Sequence, residues 1–215
     1  MSIINSLNFS IIEKRLKRIY SNKFKEFGTN PKSVFWKSTF TQDLRLELII
    51  NILLKFNKLE NNKISDVGCG YGRLIEKLNC HKLLETTQYY GVDINKDFIT
   101  FCKSRYKNKN IFFHNRSYPS CEVDFTIMSG TYNLCTFDSL KIWENYLTSC
   151  LIKNWEKTKR AMIFNLLEKE KRVIIKGLYY CNSNWIKEFC EFNFGTTKIT
   201  KSNLLPDDML VIVYR

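Results

Sequence analysis

Proline, glycine and histidine are scarce in this sequence, and alanine is nearly absent. Three prolines and eight glycines in 215 residues are too few for a loop-rich all-β fold. There are two histidines, His81 and His114, and none of the eight cysteines forms a CxxC pair. No zinc-ligand spacing results, and no metal is expected. The irregularly spaced cysteines read as free thiols of a reducing, cytoplasmic compartment. No apolar run approaches the ~18 residues of a spanning helix. The N-terminus lacks an apolar core followed by a small-residue cleavage site, so no secretory signal is expected. The single alanine, Ala161, beside abundant Lys, Asn and Ile, is what an A+T-rich genome encodes.

Aromatic bulk is plentiful: 16 Phe, 11 Tyr and 4 Trp. With 44% apolar and 26% charged residues, the chain has the composition of one globular domain. Its net charge is +13. Such a field suits nucleic acid, anionic lipid or an anionic small substrate. The cations are spread along the chain rather than gathered in one block, which favours the small substrate over nucleic acid.

Residues 1–60 read as a helical cap segment. Ile4, Leu7, Ile11, Leu16 and Ile19 give a first amphipathic helix whose second half is crowded with Lys and Arg. Residues 28–42 are turn-rich and aromatic, and a helix is expected over Asp43–Phe56. From 61 to 215 short apolar runs alternate with helical stretches. Strands are expected at 63–67, 88–93, 110–114, 123–128, 161–167, 196–201 and 209–214. Helices are expected at 73–78, 96–106, 139–155 and 183–192, and Leu205–Asp208 reads as a turn. This alternation predicts an α/β, Rossmann-like, mostly parallel seven-stranded sheet. Helices cover both faces, and an antiparallel C-terminal hairpin strand closes the sheet.

The strongest motif is Asp66-Val67-Gly68-Cys69-Gly70-Tyr71-Gly72, between a strand and a helix. Its glycines let backbone approach a ligand closely. Asp66 would repel a pyrophosphate and suits an amino-bearing ligand instead. Asp93 ends the second strand, where an acid can accept both hydroxyls of a ribose.

Asp66–Gly72 resembles the D-x-G-x-G-x-G loop of class I S-adenosylmethionine-dependent methyltransferases at every fixed position. The resemblance implies S-adenosyl-L-methionine as cofactor. Gly68, Cys69, Gly70, Tyr71 and Gly72 would lie along its methionine part, and Asp66 would meet its amino group. Asp93 would hold the ribose and Ile94 would flank the adenine, while Asn115 and Arg116, after the third strand, would stand where the family faces the adenine amino group. Ser129 and Gly130 would lie at the cofactor's edge. Thr131, Tyr132 and Asn133, with Tyr20 of the first helix, would face the acceptor. The N-P-P-[YF] sequence of amino-directed enzymes is missing.

A longer resemblance runs through Phe27-Gly28, Pro31, Trp36-Lys37-Ser38, Ser129–Asn133, Trp143–Tyr146 and Phe164-Asn165. It is to small bacterial methyltransferases of polysaccharide and surface-modification loci. It implies that Trp36, Gln42 and Arg45 close over the cofactor, with Arg45 near its carboxylate.

Candidate bases are few: His114 near the adenine end, His81 at the wrong end of the sheet, and Tyr132. This favours an acceptor that is already anionic, a phosphate-containing or nucleotide-sugar compound, met by a monomer or homodimer. An RNA methyltransferase and a catalytically inactive nucleoside-binding homologue are the other readings.

Overall fold

The protein is described by a computed structural model of residues 3–215, with side chains from Ser6 onward; the Ile4 side chain lies outside it. Helix α1 spans Ile3–Phe27 and α2 Thr39–Leu53, joined by a 3-10 turn at Pro31–Val34. The core then runs β1 (Lys63–Val67), α3 (Arg73–Cys80), β2 (Gln88–Asp93), α4 (Lys96–Arg105), β3 (Ile111–Asn115) and β4 (Val123–Met128). Next come α5 (Leu140–Glu156), β5 (Thr158–Glu168), β6 (Val173–Ile175), β7 (Leu178–Cys181), α6 (Ser183–Asn193), β8 (Thr197–Ser202) and β9 (Leu205–Tyr214).

Side-chain caps start the helices where the sequence supplies them. Ser38 accepts from the Thr41 amide, Asn95 from Asp97 and Asn182 from Trp185. The sheet order β3-β2-β1-β4-β5 is parallel throughout. β9 runs antiparallel beside β5, and β8 pairs β9 on its far side. These are the seven expected strands. β6 and β7 add a hairpin whose second strand pairs the tip of β5.

Alternation along the strands divides the core into two faces. Met162 and Phe164 of β5, with Val211 and Val213 of β9, pack under α1, α5 and α6. Ala161 and Ile163, with Leu210 and Ile212, pack under α2 and α3. Each face buries large side chains completely, Trp143 on the first and Tyr89 on the second.

One expected turn is strand instead. Leu205–Asp208 belongs to β9, and the chain reverses at Asn203-Leu204. Pro206 sits near the strand's start, where a missing amide is tolerated. Asp208 is buried and paired in register with Leu167.

Candidate active site

The carboxyl ends of β1, β2 and β4 open into a cavity of about 980 Å³, its mouth included. The strand order reverses beside β1, and α/β sheets bind ligands in the crevice this creates. The glycine loop forms its floor. The amides of Gly68 and Cys69 donate to the Val92 carbonyl at 2.8 and 3.1 Å, which folds the loop back over β2.

Two buried carboxylates reach the cavity from adjacent strands. Asp93 accepts from the Gly70 amide at 3.0 Å and the Asn95 amide at 2.7 Å, one on each oxygen. Each oxygen keeps a second lone pair for a ligand. Burial pushes its carboxyl up to about 6, against the pull of those amides and of Lys17. Asp66 accepts from the Tyr89 hydroxyl at 2.7 Å. Burial pushes Asp66 up to about 7; the Tyr89 bond opposes this and the charge of Asp93 adds to it.

Tyr89 was not foreseen, though the pattern carried a signal. Gly91 is in register with Asp66, and Tyr89 lies on the same face two residues before it. A Cβ on Gly91 would stand 3.0 Å from the Tyr89 ring and 2.7 Å from Phe113. The missing side chain gives Tyr89 room to cross to Asp66.

The N-terminal segment roofs the cavity with Leu16 and Tyr20 of α1, then Val34, Trp36, Gln42 and Leu46. Gln42 accepts from the Tyr71 hydroxyl at 2.6 Å. A Cβ on Gly130, whose φ is +74°, would stand 2.7 Å from the Trp36 ring, so the indole lies directly on the β4 edge. Ile94, Arg116, Ser129 and Thr131 also line the cavity.

Arg45, Asn115, Gly72 and His114 fall outside the cavity, while Asn133 and Tyr132 are engaged in hydrogen bonds of their own. Arg45 stays outside the cavity. It forms a two-pronged ion pair with Asp208 and lies 4.1 Å from the Trp36 ring, so its charge is already matched. Asn115 is exposed and donates to the Asp93 carbonyl at 2.8 Å. Gly72 faces Tyr106, whose ring would meet a Cβ at 2.7 Å. Asn133 lines a neighbouring cleft, and its side chain accepts from the Leu167 amide. Tyr132 lines the cavity but is almost wholly buried, with Asn154 donating to its hydroxyl at 3.3 Å. Burial pushes that hydroxyl well above its ordinary value, so it stays protonated and is no base. His114, expected on the cofactor side, is exposed on a groove along β3, and His81 pairs with Glu47 on the surface.

A family model described as a methyltransferase domain matches residues 58–193, more than half of the chain. The chain belongs to this methyltransferase family. The methyltransferase is 30% identical over 125 residues to ribosomal RNA small subunit methyltransferase A of Mycoplasma mobile, covering 55% of this chain and 48% of that protein. It is 28% identical over 79 residues to a putative methyltransferase of Mycobacterium tuberculosis, covering 36% of this chain and 46% of that protein. The matches thus span about half the length of these curated relatives. Among solved structures, magnesium protoporphyrin IX methyltransferase from Synechocystis PCC 6803 with bound SAH superposes with a TM-score of 0.66. That pair shares 12% identity over 97% of this chain and 99% of the other. A SAM-dependent methyltransferase of Leishmania major gives 0.65 at 13% identity, covering 90% and 82%. At these identities the superpositions show a shared fold.

Proposed function

We propose that this methyltransferase transfers a methyl group from S-adenosylmethionine to a small anionic acceptor. The observation that carries the reading is the pair of buried carboxylates, Asp66 and Asp93, facing one cavity across a glycine loop. The residues present fit the cofactor. Asp93 has lone pairs for two ribose hydroxyls, and Asp66 suits an ammonium group. Gly70 leaves open the floor between them. When bound, the sulfonium supplies an activated methyl group. The chain's task is to orient the acceptor and exclude water. Tyr20, Val34 and Trp36 serve the second purpose, because they lie over the loop and the β4 edge.

The acceptor is placed in the cleft next to this cavity, beyond Trp36 and Gly130. Asn133, Leu178, Tyr180 and Leu204 line it, together with Lys37 and Asp207, and Lys37 is the group that would meet an anion. Among the described residues lining the cavity and the cleft there is no histidine. A neutral sugar hydroxyl needs a base to lose its proton, whereas a phosphate or carboxylate oxygen does not. The reading is therefore O-methylation of a phosphate-containing or nucleotide-sugar precursor in bacterial surface-glycan modification. The resemblance through Trp36, Ser129–Asn133 and Phe164-Asn165 supports that setting. RNA as acceptor is the second reading, favoured by the likeness to a ribosomal RNA methyltransferase and by the +13 charge.

Titration calorimetry with S-adenosylhomocysteine tests the cofactor site. Tight binding by the wild type, lost in Asp93→Asn, supports it, and equal binding by both proteins refutes it. Transfer of labelled methyl groups to nucleotide-sugars, neutral sugars and ribosomal RNA then separates the acceptors. Labelling of neutral sugars alone would overturn the anionic reading.

A further inference from the structure

The net positive charge is not evenly placed in space. Residues 98–121 contain Lys103, Arg105, Lys107, Lys109 and Arg116 and no Asp or Glu. Arg105 pairs with Glu76. Lys103, Lys107, Lys109 and Arg116 make no ion pair among the described residues. The segment folds so that these cations surround β3, the outer strand of the sheet, whose far edge pairs with no other strand among the described residues. A groove runs along that edge, lined by Lys103, Lys107, Asn108, Phe112 and His114.

Phe112 of this lining belongs to an aromatic pair. Phe112 and Tyr90 stack at 5.0 Å between centroids with 22° between planes, and Phe112 is 37% exposed. His114 lies next to it. Partial desolvation and the nearby charges of Lys103 and Arg116 lower its pKa.

A flat aromatic face flanked by unpaired cations along an open strand edge is the chemistry of a single-stranded polyanion with planar bases. We propose that the β3 edge docks single-stranded nucleic acid, with Phe112 stacking on a base and Lys103 and Lys107 holding adjacent phosphates. The strip is separated from the acceptor cleft by β2, β1 and β4. It goes beyond the methyl-transfer reading and stands or falls independently of it.

The test is fluorescence anisotropy with a labelled oligouridylate of about 12 nucleotides, a length within the span of such grooves. Wild type should bind at low salt. Phe112→Ala and Phe112→Leu should each weaken binding by about tenfold, the size of one lost base stack. Lys103→Gln with Lys107→Gln should lower the slope of log affinity against log salt by about 1.4, for two lost phosphate contacts. Circular dichroism and S-adenosylhomocysteine affinity should stay at wild-type values in all of these variants. Absence of oligonucleotide binding by wild type would overturn the proposal. So would lysine variants that weaken binding while both Phe112 variants do not, since that is charge attraction without stacking. Equal, Phe112-independent binding to phosphatidylserine vesicles would assign the strip to a membrane surface and overturn it as well.

Discussion

At the residue scale the two buried acids govern how the cavity responds to pH. Asp66 is raised from 3.8 to about 7. In the unfolded chain it has already lost its proton in that window, while in the folded protein it still holds one. Folding stability from this group is therefore full below about 4 and declines as pH rises towards 7. Asp43 and Glu47, lowered by their Arg73, Lys77 and His81 partners, act in the opposite sense. A difference measurement isolates Asp66. The melting temperature of Asp66→Asn minus that of wild type should grow between about pH 4 and 7, and a flat difference would contradict the burial argument. Asp93 calls for a different expectation. Its carboxylate holds the Gly70 and Asn95 amides as well as facing the cavity. Asp93→Ala strands both amides and should cost stability by about 1–3 kcal/mol per unpaired group, besides losing cofactor. Asp93→Asn keeps an acceptor oxygen and should melt closer to wild type. Thermal melts of the two variants side by side decide this.

At the element scale most of the fold was legible, because apolar period and capping residues agree along the chain. The Gln88–Asp93 and Val123–Met128 strands have the expected ends, and α4 ends within one residue of expectation. What escaped has physical causes. The β6–β7 hairpin has a first strand of three residues, too short for a periodic signal, and turns at Lys176-Gly177, both at positive φ. Pro206-Asp207-Asp208 has turn composition, yet tertiary pairing with β5 makes it strand. That misreading hid the partner of Arg45. Asp208 accepts from Arg45, and from the Asn165 amide group at 2.6 Å, while the Asn165 oxygen accepts from the Gly130 amide at 2.6 Å. Arg45 in turn stacks on Trp36, which lies on Gly130. The result is a closed, partly buried circuit joining α2, β5, β9 and the β4 edge. Asp208→Ala leaves a guanidinium and an amide buried without their partner. It should destabilise by roughly 3 kcal/mol, as broken buried pairs do. Chemical denaturation reads this, and a change under 1 kcal/mol would show that the circuit contributes little.

At the scale of the whole molecule the question is which part of the N-terminal block can open the cavity. The sequence suggested a cap over residues 1–60 as one unit, but packing distinguishes its parts. Helix α2 is tied to α3 by Asp43 with Arg73 and Lys77, and by Glu47 with Lys77 and His81. Helix α1 is tied as firmly: Ile12 and Leu16 are in the core, Phe24 packs on Phe98, and Arg15 donates to the Thr136 carbonyl. Removing residues 1–25 would uncover the part of the sheet face that α5 and α6 leave to Ile12 and Leu16, and should cost stability as well as open the cavity. The connection between them is different. It begins at Gly28, with φ of +56°, and its 3-10 turn ends at Phe35, a non-glycine residue at φ +62°. Such left-handed positions are where a backbone changes course at small cost in contacts. Between and beside them lie Val34, 3.3 Å from a Cβ placed on Gly70, and Trp36 on Gly130. The expectation is that opening lifts residues 28–37, breaking the Tyr20–Phe35 and Arg45–Trp36 contacts and leaving both helices in place. Hydrogen exchange with and without S-adenosylhomocysteine tests this division. Amides of 28–37 should exchange quickly in the free protein and slow on binding, while those in the middle of α1 and α2 stay protected throughout. Trp36→Ala should release S-adenosylhomocysteine faster in a stopped-flow chase, without a comparable loss of thermal stability. Slowing of exchange across all of α1 on binding would mean that the helix moves as the lid, and the connection would lose its role.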